Sequence, residues 1–214
     1  MRLTVNTFVS LDGVMQGPGA PEEDPSGGFD RGGWMVPVAG EGFGRVVDGW
    51  FERTSELLFG RVTYEIMAGY WPQVTDPADA VAAALNGRPK HVVSTTLTTP
   101  TWDSTASIIA DDVPTSVRAL KERPGEELQV HGSWQLIQTL HDEGLVDEYR
   151  VIEFPVVVGT GKRLFHDGAA PSGFDVVGTE VLDGGVVYRV LRPVPFRSGT
   201  YGVEEGKETT TLSA

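Results

Sequence analysis

Three short runs in the sequence combine small, hydroxyl-bearing or cationic residues, and each run follows an apolar segment. The runs are Gly60, Arg61 and Thr63; Ser94 and Thr95; and Gly132 and Ser133. Where a strand ends and a helix begins, backbone N–H groups have no intrahelical acceptor and therefore favour an anion. Arg61 would add a cation with planar N–H donors, which suits a phosphate. The runs predict a phosphate-rich ligand that lies across the edge of a sheet.

Each run also has a structural explanation when it is considered alone. Gly60 fits a turn, Ser94 fits the cap of a strand, and Ser133 fits the N-cap of the segment that follows it. The recurrence of such residues at successive strand ends favours a ligand, because the carboxyl ends of parallel strands face one crevice. The dinucleotide pattern G-x-G-x-x-G is missing from the sequence, since Gly159 and Gly161 match only its first two glycines and fit a tight turn.

The elements that would position these runs alternate along the chain. Apolar, strand-like runs are expected at Leu3–Val9, Leu57–Phe59, His91–Ser94, Leu128–His131, Tyr149–Val158, Phe174–Val181 and Val186–Leu191. Helical spacing is expected at Phe43–Arg53, Val62–Ala68, Ala78–Leu85, Pro114–Lys121 and Ser133–His141. The alternation predicts an α/β fold with a mixed, mostly parallel central sheet flanked by helices. The strand-rich C-terminal part predicts antiparallel edge strands.

Two segments lack this periodicity. The segment Asp12–Pro37 is rich in Gly and Pro but contains Phe29 and Trp34. Such apolar anchors favour a lid or a binding loop over a loose insertion. The domain is expected to span residues 1–193, because the chain then becomes polar. Residues 194–214 are expected to form a tail that is disordered or rests on a neighbouring subunit.

The composition excludes several classes of function. The chain has 17 Lys and Arg against 30 Asp and Glu, and a net charge of −13 repels nucleic-acid backbones and anionic membranes. There are no cysteines, and the four histidines show none of the common zinc-binding spacings, so we expect no metal site. No apolar run approaches the length of a membrane span, and the first residues alternate like a strand, so a cytoplasmic protein is expected.

Five longer motifs occur in a characteristic order. They are VNTFVSLDGV, LLFGRVTYE, KHVVSTTL, LQVHGSWQLIQTL and VDEYRVIEFPVVVGTGKRLF, within residues 2–192. In order and spacing they resemble the dihydrofolate-reductase-like superfamily, and in particular the reductase domain of bifunctional riboflavin-biosynthesis deaminase-reductases. The resemblance implies a mixed sheet flanked by helices, NADPH as hydride donor, and a homodimer. The zinc-binding deaminase half is absent, so the implied activity is that of a reductase alone.

Carried over residue by residue, the resemblance implies that nine residues contact NADPH. They are Gly60, Arg61, Thr63, Ser94, Thr95, Gly132, Ser133, Trp134 and Gln135. The first three would lie near the adenosine-side phosphates, the next two near the 2′-phosphoribose, and the last four beneath the pyrophosphate. Ser133 departs from the family, which more often has consecutive glycines at this turn.

The substrate is expected to be a small pyrimidine-like or pteridine-like heterocycle, and a proton donor would have to lie near the carboxyl edge of the sheet. Asp12 directly follows the first strand, whereas Glu41 and Asp48 lie in or near the first helix, where folate reductases keep a carboxylate. Asp12 could instead only shape its turn. Trp34 is expected to act as a lid residue. His131 is expected either to contact the substrate or to make its hydrogen bonds within the fold as a strand-end histidine.

Two other functions are compatible with the same residues. One is a reductase of an unrelated substrate, and the other is a non-catalytic nucleotide- or flavin-binding protein of the same fold. The late apolar segment RVIEFPVVV independently favours a homodimer, because it offers more hydrophobic surface than one sheet face needs.

Overall fold

Strands and helices alternate through most of the chain, of which a computed structural model describes residues 1–102 and 105–212. The strands are β1 (Arg2–Ser10), β2 (Thr54–Gly60), β3 (Lys90–Val93), β4 (Ala106–Ile109), β5 (Glu127–His131), β6 (Glu148–Phe154), β7 (Ser172–Val181), β8 (Val187–Pro195), β9 (Gly199–Glu204) and β10 (Lys207–Leu212). The α-helices are α1 (Glu41–Phe51), α2 (Arg61–Tyr70), α3 (Ala80–Gly87), α4 (Val113–Lys121) and α5 (Trp134–Asp142).

Eight of these strands form one mixed sheet in the order β4-β3-β2-β5-β1-β6-β8-β7. Strands β1 to β6 run parallel, whereas β8 pairs antiparallel with β6, and β7 pairs antiparallel with β8. The predicted α/β fold with antiparallel strands at one edge is confirmed. Several details differ; among them, β4 was not predicted, and β6 ends at Phe154 instead of Val158. Pro155 explains the earlier end, because proline has no N–H to donate to a neighbouring strand.

The central strands are buried on both faces of the sheet. Leu3 and Val5 of β1 point to a cluster that includes Ile137 and Leu140 of α5. Phe8 of the same strand packs on the opposite face, against a cluster that includes residues of α1. This alternation follows from the two-residue period of a strand. Because β1, β2, β3, β5 and β6 run parallel, their carboxyl ends lie at one edge of the sheet, where the predicted ligand-binding runs begin.

The expected tail has a regular structure. Strands β9 and β10 form a separate antiparallel sheet, with Gly199 opposite Leu212 and Glu204 opposite Lys207. Glu205 and Gly206 connect the strands with positive φ angles of 52° and 77°. A two-residue turn of this kind matches the twist of a hairpin. The expectation of disorder is therefore wrong for residues 199–212, whereas contact with a neighbouring subunit stays a prediction.

None of the helices in the described part of the chain is long and apolar enough to cross a membrane.

Candidate cofactor and substrate site

Two helices begin side by side at the carboxyl edge of the sheet. Helix α2 follows β2 and helix α5 follows β5, and these two strands are neighbours. The N–H of Gly60 donates a hydrogen bond to Ser133 Oγ (3.0 Å), and the N–H of Ser133 donates to Thr63 Oγ1 (2.9 Å). Two of the three predicted runs therefore form one hydrogen-bonded unit.

The turn before α5 needs an unusual backbone. Gly132 and Ser133 have φ angles of 58° and 56°, in the left-handed region. A Cβ atom on residue 132 would lie 3.2 Å from Thr63 Cγ2, so a side chain there would push the two turns apart. Ser133 occupies a conformation that costs an L-residue about 1–2 kcal/mol, and its hydrogen bonds to Gly60 and Thr63 help to hold it there.

The helix N-termini differ in how their N–H groups are satisfied. Asp79 accepts a hydrogen bond from the first turn of α3, Asp112 does so for α4, and Asp183 does so for α1. Within the described residues, no side chain caps α2 or α5. Each helix N-terminus is equivalent to roughly half a positive charge. The two uncapped N-termini therefore place N–H donors and partial positive charge at one edge of a strongly acidic protein.

The side chains around this edge occupy different positions. Arg61 forms an exposed ion pair with Glu65 (2.8 Å), so it can turn towards a ligand at little cost. Gln135 is exposed, whereas the indole N–H of Trp134 donates to the backbone oxygen of Arg163 (2.7 Å). The indole N–H of Trp134 is thus already bonded within the fold, and the contact of Trp134 with a ligand stays a prediction.

The third run lies one strand further along the sheet. Ser94 is buried, and its Oγ accepts hydrogen bonds from the N–H groups of Thr96 (3.1 Å) and Leu97 (2.8 Å). This geometry favours the structural explanation for Ser94, which closes the turn after β3. Thr95 is exposed at the same edge, and its contact with a ligand stays a prediction.

Asp12 is held by a set of short hydrogen bonds. Its carboxylate accepts from Ser10 Oγ (2.7 Å) and from the N–H groups of Val158 (2.9 Å) and Gly159 (2.7 Å). Burial by itself would raise the pKa of Asp12, but these hydrogen bonds outweigh it and lower the pKa from 3.8 to about 2. Asp12 is ionised at neutral pH. The geometry argues against a proton donor and favours the alternative that Asp12 shapes its turn.

The other two predicted acids lie elsewhere. Glu41 and Asp48 are exposed, whereas α1 buries Val46, Trp50 and Phe51 against the sheet. No described hydrogen bond or ion pair joins either carboxylate to Asp12. The described contacts therefore do not connect the three predicted acids, and the catalytic assignment of Glu41 and Asp48 stays a prediction.

His131 is buried beneath α1. Its ring stacks on Phe51, with 4.6 Å between ring centroids, and its Nε2 lies 3.0 Å from Gln129 Oε1. Burial lowers the pKa of His131 to about 3, and the positive charge of Arg150 acts in the same direction. His131 is neutral at physiological pH and closed off from solvent, so the alternative of a satisfied strand-end histidine is favoured.

Trp34 belongs to an aromatic wall formed with Phe8, Phe43 and Phe154. Ring centroids are 5.2 Å apart for Phe8 and Phe43, and 5.8 Å apart for Trp34 and Phe154. The Trp34 indole N–H donates to the backbone oxygen of Gln16 (2.8 Å), which anchors the Gly- and Pro-rich loop. The wall lies between α1 and the carboxyl ends of β1 and β6, and all its members except Phe154 are only partly buried.

The sequence was compared with known proteins. The family model described as the RibD C-terminal domain matches residues 2–188. The chain belongs to this family.

Relatives of this RibD C-terminal domain protein share its length or its fold. This chain is 29% identical over 188 residues to the uncharacterized protein YyaP of Bacillus subtilis (strain 168), and the match covers 87% of this chain and 92% of the relative. The described fold is shared with a solved diaminohydroxyphosphoribosylaminopyrimidine deaminase/5-amino-6-(5-phosphoribosylamino)uracil reductase from Thermotoga maritima. That match has a TM-score of 0.58 at 16% identity, and it covers 90% of this chain and 56% of the longer protein.

A dihydrofolate reductase from Enterococcus faecalis, solved in complex with NADP(H) and RAB-propyl, also shares the fold. It has a TM-score of 0.55 at 14% identity, and the match covers 90% of this chain and 96% of the reductase. The predicted resemblance to the dihydrofolate-reductase-like superfamily and its riboflavin-biosynthesis branch is confirmed.

Some features of this RibD C-terminal domain were not expected from the sequence. Phe8, Phe43 and Phe154 join Trp34 only in the folded protein, although Phe8 and Phe154 could have been suspected from their positions near strand ends. Lys162 forms an ion pair with Asp24 (2.6 Å) and ties the long loop to the segment after β6. The loop is therefore fastened at several points and is not a loose insertion.

The described residues were also searched for metal ligands. No group of three or more His, Asp or Glu side chains in residues 1–102 and 105–212 is arranged to hold a metal ion.

Proposed function

We propose that this RibD C-terminal domain protein is an NADPH-dependent reductase of a small pyrimidine-like or pteridine-like heterocycle. The observation that carries the proposal is the pair of uncapped helix N-termini, α2 and α5, joined through Ser133 at the carboxyl edge of the sheet. Anionic phosphates are stabilised at such N-termini by free N–H groups and by the helix dipole.

The residues present fit a dinucleotide phosphate. Gly132 lets the two turns pack closely, since a Cβ there would crowd Thr63, and this keeps the N-termini of α2 and α5 side by side. The N–H groups in the first turns of α2 and α5, which begin at Arg61 and Trp134, would face the pyrophosphate, and the Arg61 side chain would pair with the 2′-phosphate that distinguishes NADPH from NADH. When bound, NADPH would supply a hydride to the substrate.

The chain's own residues would then bind and orient the substrate. The partly exposed rings of Phe8, Trp34 and Phe43 offer a surface on which a planar heterocycle can stack, and such a surface also excludes water. Asp12 is ionised and His131 is neutral near pH 7, so neither is an acid ready to protonate the product. We therefore assign the proton to solvent water at the open side of the site.

Calorimetric titration of NADPH and NADH into the wild type and Arg61→Ala tests the cofactor site. Loss of one charge-assisted contact should weaken NADPH binding by about 10- to 100-fold and change NADH binding far less. Arg118→Ala is the matched control, because Arg118 is also an exposed arginine in an ion pair, with Glu143 at 3.0 Å on another part of the surface. We expect this control to bind both cofactors like the wild type.

Activity requires a second measurement. Stopped-flow oxidation of NADPH in the presence of a panel of pyrimidines and pteridines should show turnover with at least one compound. Equal losses of NADPH and NADH binding in Arg61→Ala would contradict the assigned role of Arg61. Tight NADPH binding without turnover of any tested compound would favour the non-catalytic nucleotide-binding alternative, and binding of neither cofactor would reject the proposal.

A further inference from the structure

Glu56, His91 and Ser107 lie side by side on three neighbouring strands, β2, β3 and β4. Leu58 is paired with His91, and His91 is paired with Ser107, so these side chains point to the same face of the sheet. Glu56 precedes Leu58 by two residues and therefore shares that face. None of the three polar residues belongs to the candidate cofactor and substrate site. The strand pairing thus brings a carboxylate, an imidazole and a hydroxyl into one row.

Hydrogen bonds connect the members of this row. His91 Nδ1 lies 2.7 Å from Ser107 Oγ, and His91 Nε2 lies 2.6 Å from Glu56 Oε2. The second carboxylate oxygen, Glu56 Oε1, forms an ion pair with Arg123 (2.9 Å). Glu56 and His91 are each only 7% exposed, whereas Ser107 is exposed on β4. The row therefore runs from a buried acid through a buried base to a hydroxyl that a molecule in solution can reach.

The partners of His91 determine which ring nitrogen carries the proton. A carboxylate has no proton to donate, so Nε2 of His91 donates to Glu56. The Nδ1 of neutral His91 then has a lone pair and accepts the hydroxyl proton of Ser107. A nucleophile, a base within hydrogen-bond reach and a third group that orients the base are the signature of nucleophilic catalysis. Such a set is recognised by its geometry and by the roles of its members, whatever the fold that carries it.

A purely structural explanation accounts for only part of the row. Arg123 and His91 are enough to satisfy the buried carboxylate of Glu56, whereas the exposed hydroxyl of Ser107 could bond to water and needs no partner in the protein. Strand β4 is also the last strand of the central sheet, so the N–H groups on its outer side have no ladder partner among the described strands. Such donors can stabilise the negative oxygen that develops on an acyl group under attack. The edge beside Ser107 therefore combines open access with hydrogen-bond donors.

We propose that Ser107, His91 and Glu56 form an acyl-transfer centre that hydrolyses esters of small carboxylic acids with a good leaving group. Ser107 is the nucleophile, His91 is the general base, and Glu56 positions His91. The exposed position of Ser107 suits a small acyl group, because such a group needs little of a binding cleft. This activity goes beyond the proposed reductase and does not depend on it, since the two sites share no residue.

Acyl transfer at this row proceeds in two stages. Ser107 Oγ forms a bond to the acyl carbon while its proton passes to His91 Nδ1. The bond between the acyl carbon and the leaving oxygen then breaks, and His91 returns the proton to that oxygen. In the second stage water attacks the acyl-serine, its proton passes through Nδ1 to Ser107 Oγ, and the free acid is released. The carboxylate of Glu56 stabilises the imidazolium each time that it forms.

A fluorophosphonate probe measures the reactivity of Ser107 in the full chain. The probe forms a bond between Ser107 Oγ and phosphorus as fluoride leaves, and tandem mass spectrometry locates the label. We expect the label at Ser107 in the wild type and no comparable label in Ser107→Ala. Labelling should be slowed by about 100-fold in His91→Gln, because a general base contributes about this factor or more. Circular dichroism checks that both variants are folded.

Ser116→Ala is the matched control for the labelling. Ser116 is a partly exposed serine on α4, and it lies outside the described hydrogen bonds of His91. We expect this variant to be labelled at Ser107 at the rate of the wild type. A label on a different residue of the wild type, or equal labelling rates in folded His91→Gln and the wild type, would overturn the proposal.

Turnover of para-nitrophenyl acetate tests the hydrolysis itself. The wild type should release para-nitrophenol at least about tenfold faster than Ser107→Ala, because the nucleophile and its base act as a unit. Intact-mass measurement during turnover should show one acetyl group on the wild-type chain, located at Ser107. Equal release by the wild type and Ser107→Ala would overturn the proposal.

The role of Glu56 as a positioning residue is tested by the tautomer of His91. Long-range ¹H–¹⁵N spectra, assigned by comparison with His91→Gln, should show the proton at Nε2 in the wild type. Glu56→Met removes the acceptor and should give a mixture of the two tautomers and about tenfold slower fluorophosphonate labelling. Glu56→Gln keeps an acceptor oxygen and should retain the Nε2 tautomer and most of the rate. A folded Glu56→Met with the tautomer and the rate of the wild type would overturn this role.

Discussion

Polar groups lie at both ends of the parallel strands. At the amino ends, here called the amino edge, they bond to one another, whereas at the carboxyl ends, the carboxyl edge, some have no partner within the described residues. At the amino edge, the buried guanidinium of Arg150 donates two hydrogen bonds to Glu127, of 2.9 and 2.6 Å, and Arg2 and Arg53 reach the same carboxylate. At the carboxyl edge, the N-termini of α2 and α5 have no side-chain cap. Polar groups that satisfy one another stabilise the fold, whereas those left open can bind a ligand.

The charged groups at the amino and carboxyl edges also differ in how firmly their partners are held. Burial by itself would raise the pKa of Glu127, but the hydrogen bonds and charge of Arg150 outweigh it and lower that pKa. Glu127 is thus kept ionised inside the protein by cations that are fixed in place. Arg61 at the other edge has only an exposed partner, Glu65. Substitutions at the amino edge should therefore change stability, and substitutions at the carboxyl edge should mainly change binding.

The largest effect is expected for Arg150→Met. It leaves Glu127 buried without its closest cation, and breaking a buried pair in this way costs about 3–5 kcal/mol of the free energy of unfolding. Urea denaturation measures this loss. Arg118→Met, which breaks an exposed pair, should cost less than about 1 kcal/mol. Similar losses in the two variants would show that the amino edge is not the stabilising region.

The acid dependence of stability should change in His131→Gln. The pKa of His131 is about 3 in the folded protein and 6.5 in its ordinary state, so between these values the unfolded chain binds more protons. The stability that neutral His131 contributes is full above pH 6.5 and is lost as the pH falls towards 3. From pH 6.5 to 4.5 one such group accounts for about 2 kcal/mol. Urea midpoints measured across this range should decline less steeply in the variant than in the wild type, and equal slopes would refute the role of His131.

Gly132→Ala should weaken NADPH binding more than it weakens the fold. Alanine at a positive φ costs about 1–2 kcal/mol of stability, and its Cβ would also press on Thr63 at the ligand edge. Gly144→Ala is a close control, because Gly144 has a φ of 61° and open space around it. We expect similar losses of stability but about a tenfold weaker affinity for NADPH in Gly132→Ala alone. Equal affinities of the two variants for NADPH in calorimetry would show that the turn at Gly132 does not contribute to NADPH binding.

The smallest effect is expected for Glu65→Gln. Loss of this exposed ion pair should change the free energy of unfolding by less than about 0.5 kcal/mol. It also frees Arg61 from the ion pair that it forms within the described residues, so NADPH should bind up to about threefold more tightly. Weaker binding in the variant would mean that Glu65 positions Arg61 and does not compete for it.

Much of the site could be predicted because it follows the ends of local elements. The apolar period of β2 and β5 and the small residues after them were enough to place Gly60, Thr63 and Ser133 at one edge. The sequence could not decide whether Asp12 donates a proton or shapes its turn, because its hydrogen-bond partners Val158 and Gly159 lie far along the chain. The same is true of the aromatic wall, which brings together residues from β1, the long loop, α1 and β6.

The sequence by itself determined the alternation of strands and helices, the acidic charge and the order of the family motifs, since each of these depends on residue type and short-range spacing. Only the tertiary structure decided which helix N-termini are capped, which carboxylate is ionised within a set of hydrogen bonds, and which apolar faces stay open. Glu205 and Gly206 allowed residues 199–212 to form a hairpin, although their composition resembled a disordered tail. The physical reason is that hydrogen bonds, burial and charge pairing are set by distances between residues that are remote in the chain, and a local pattern does not contain those distances.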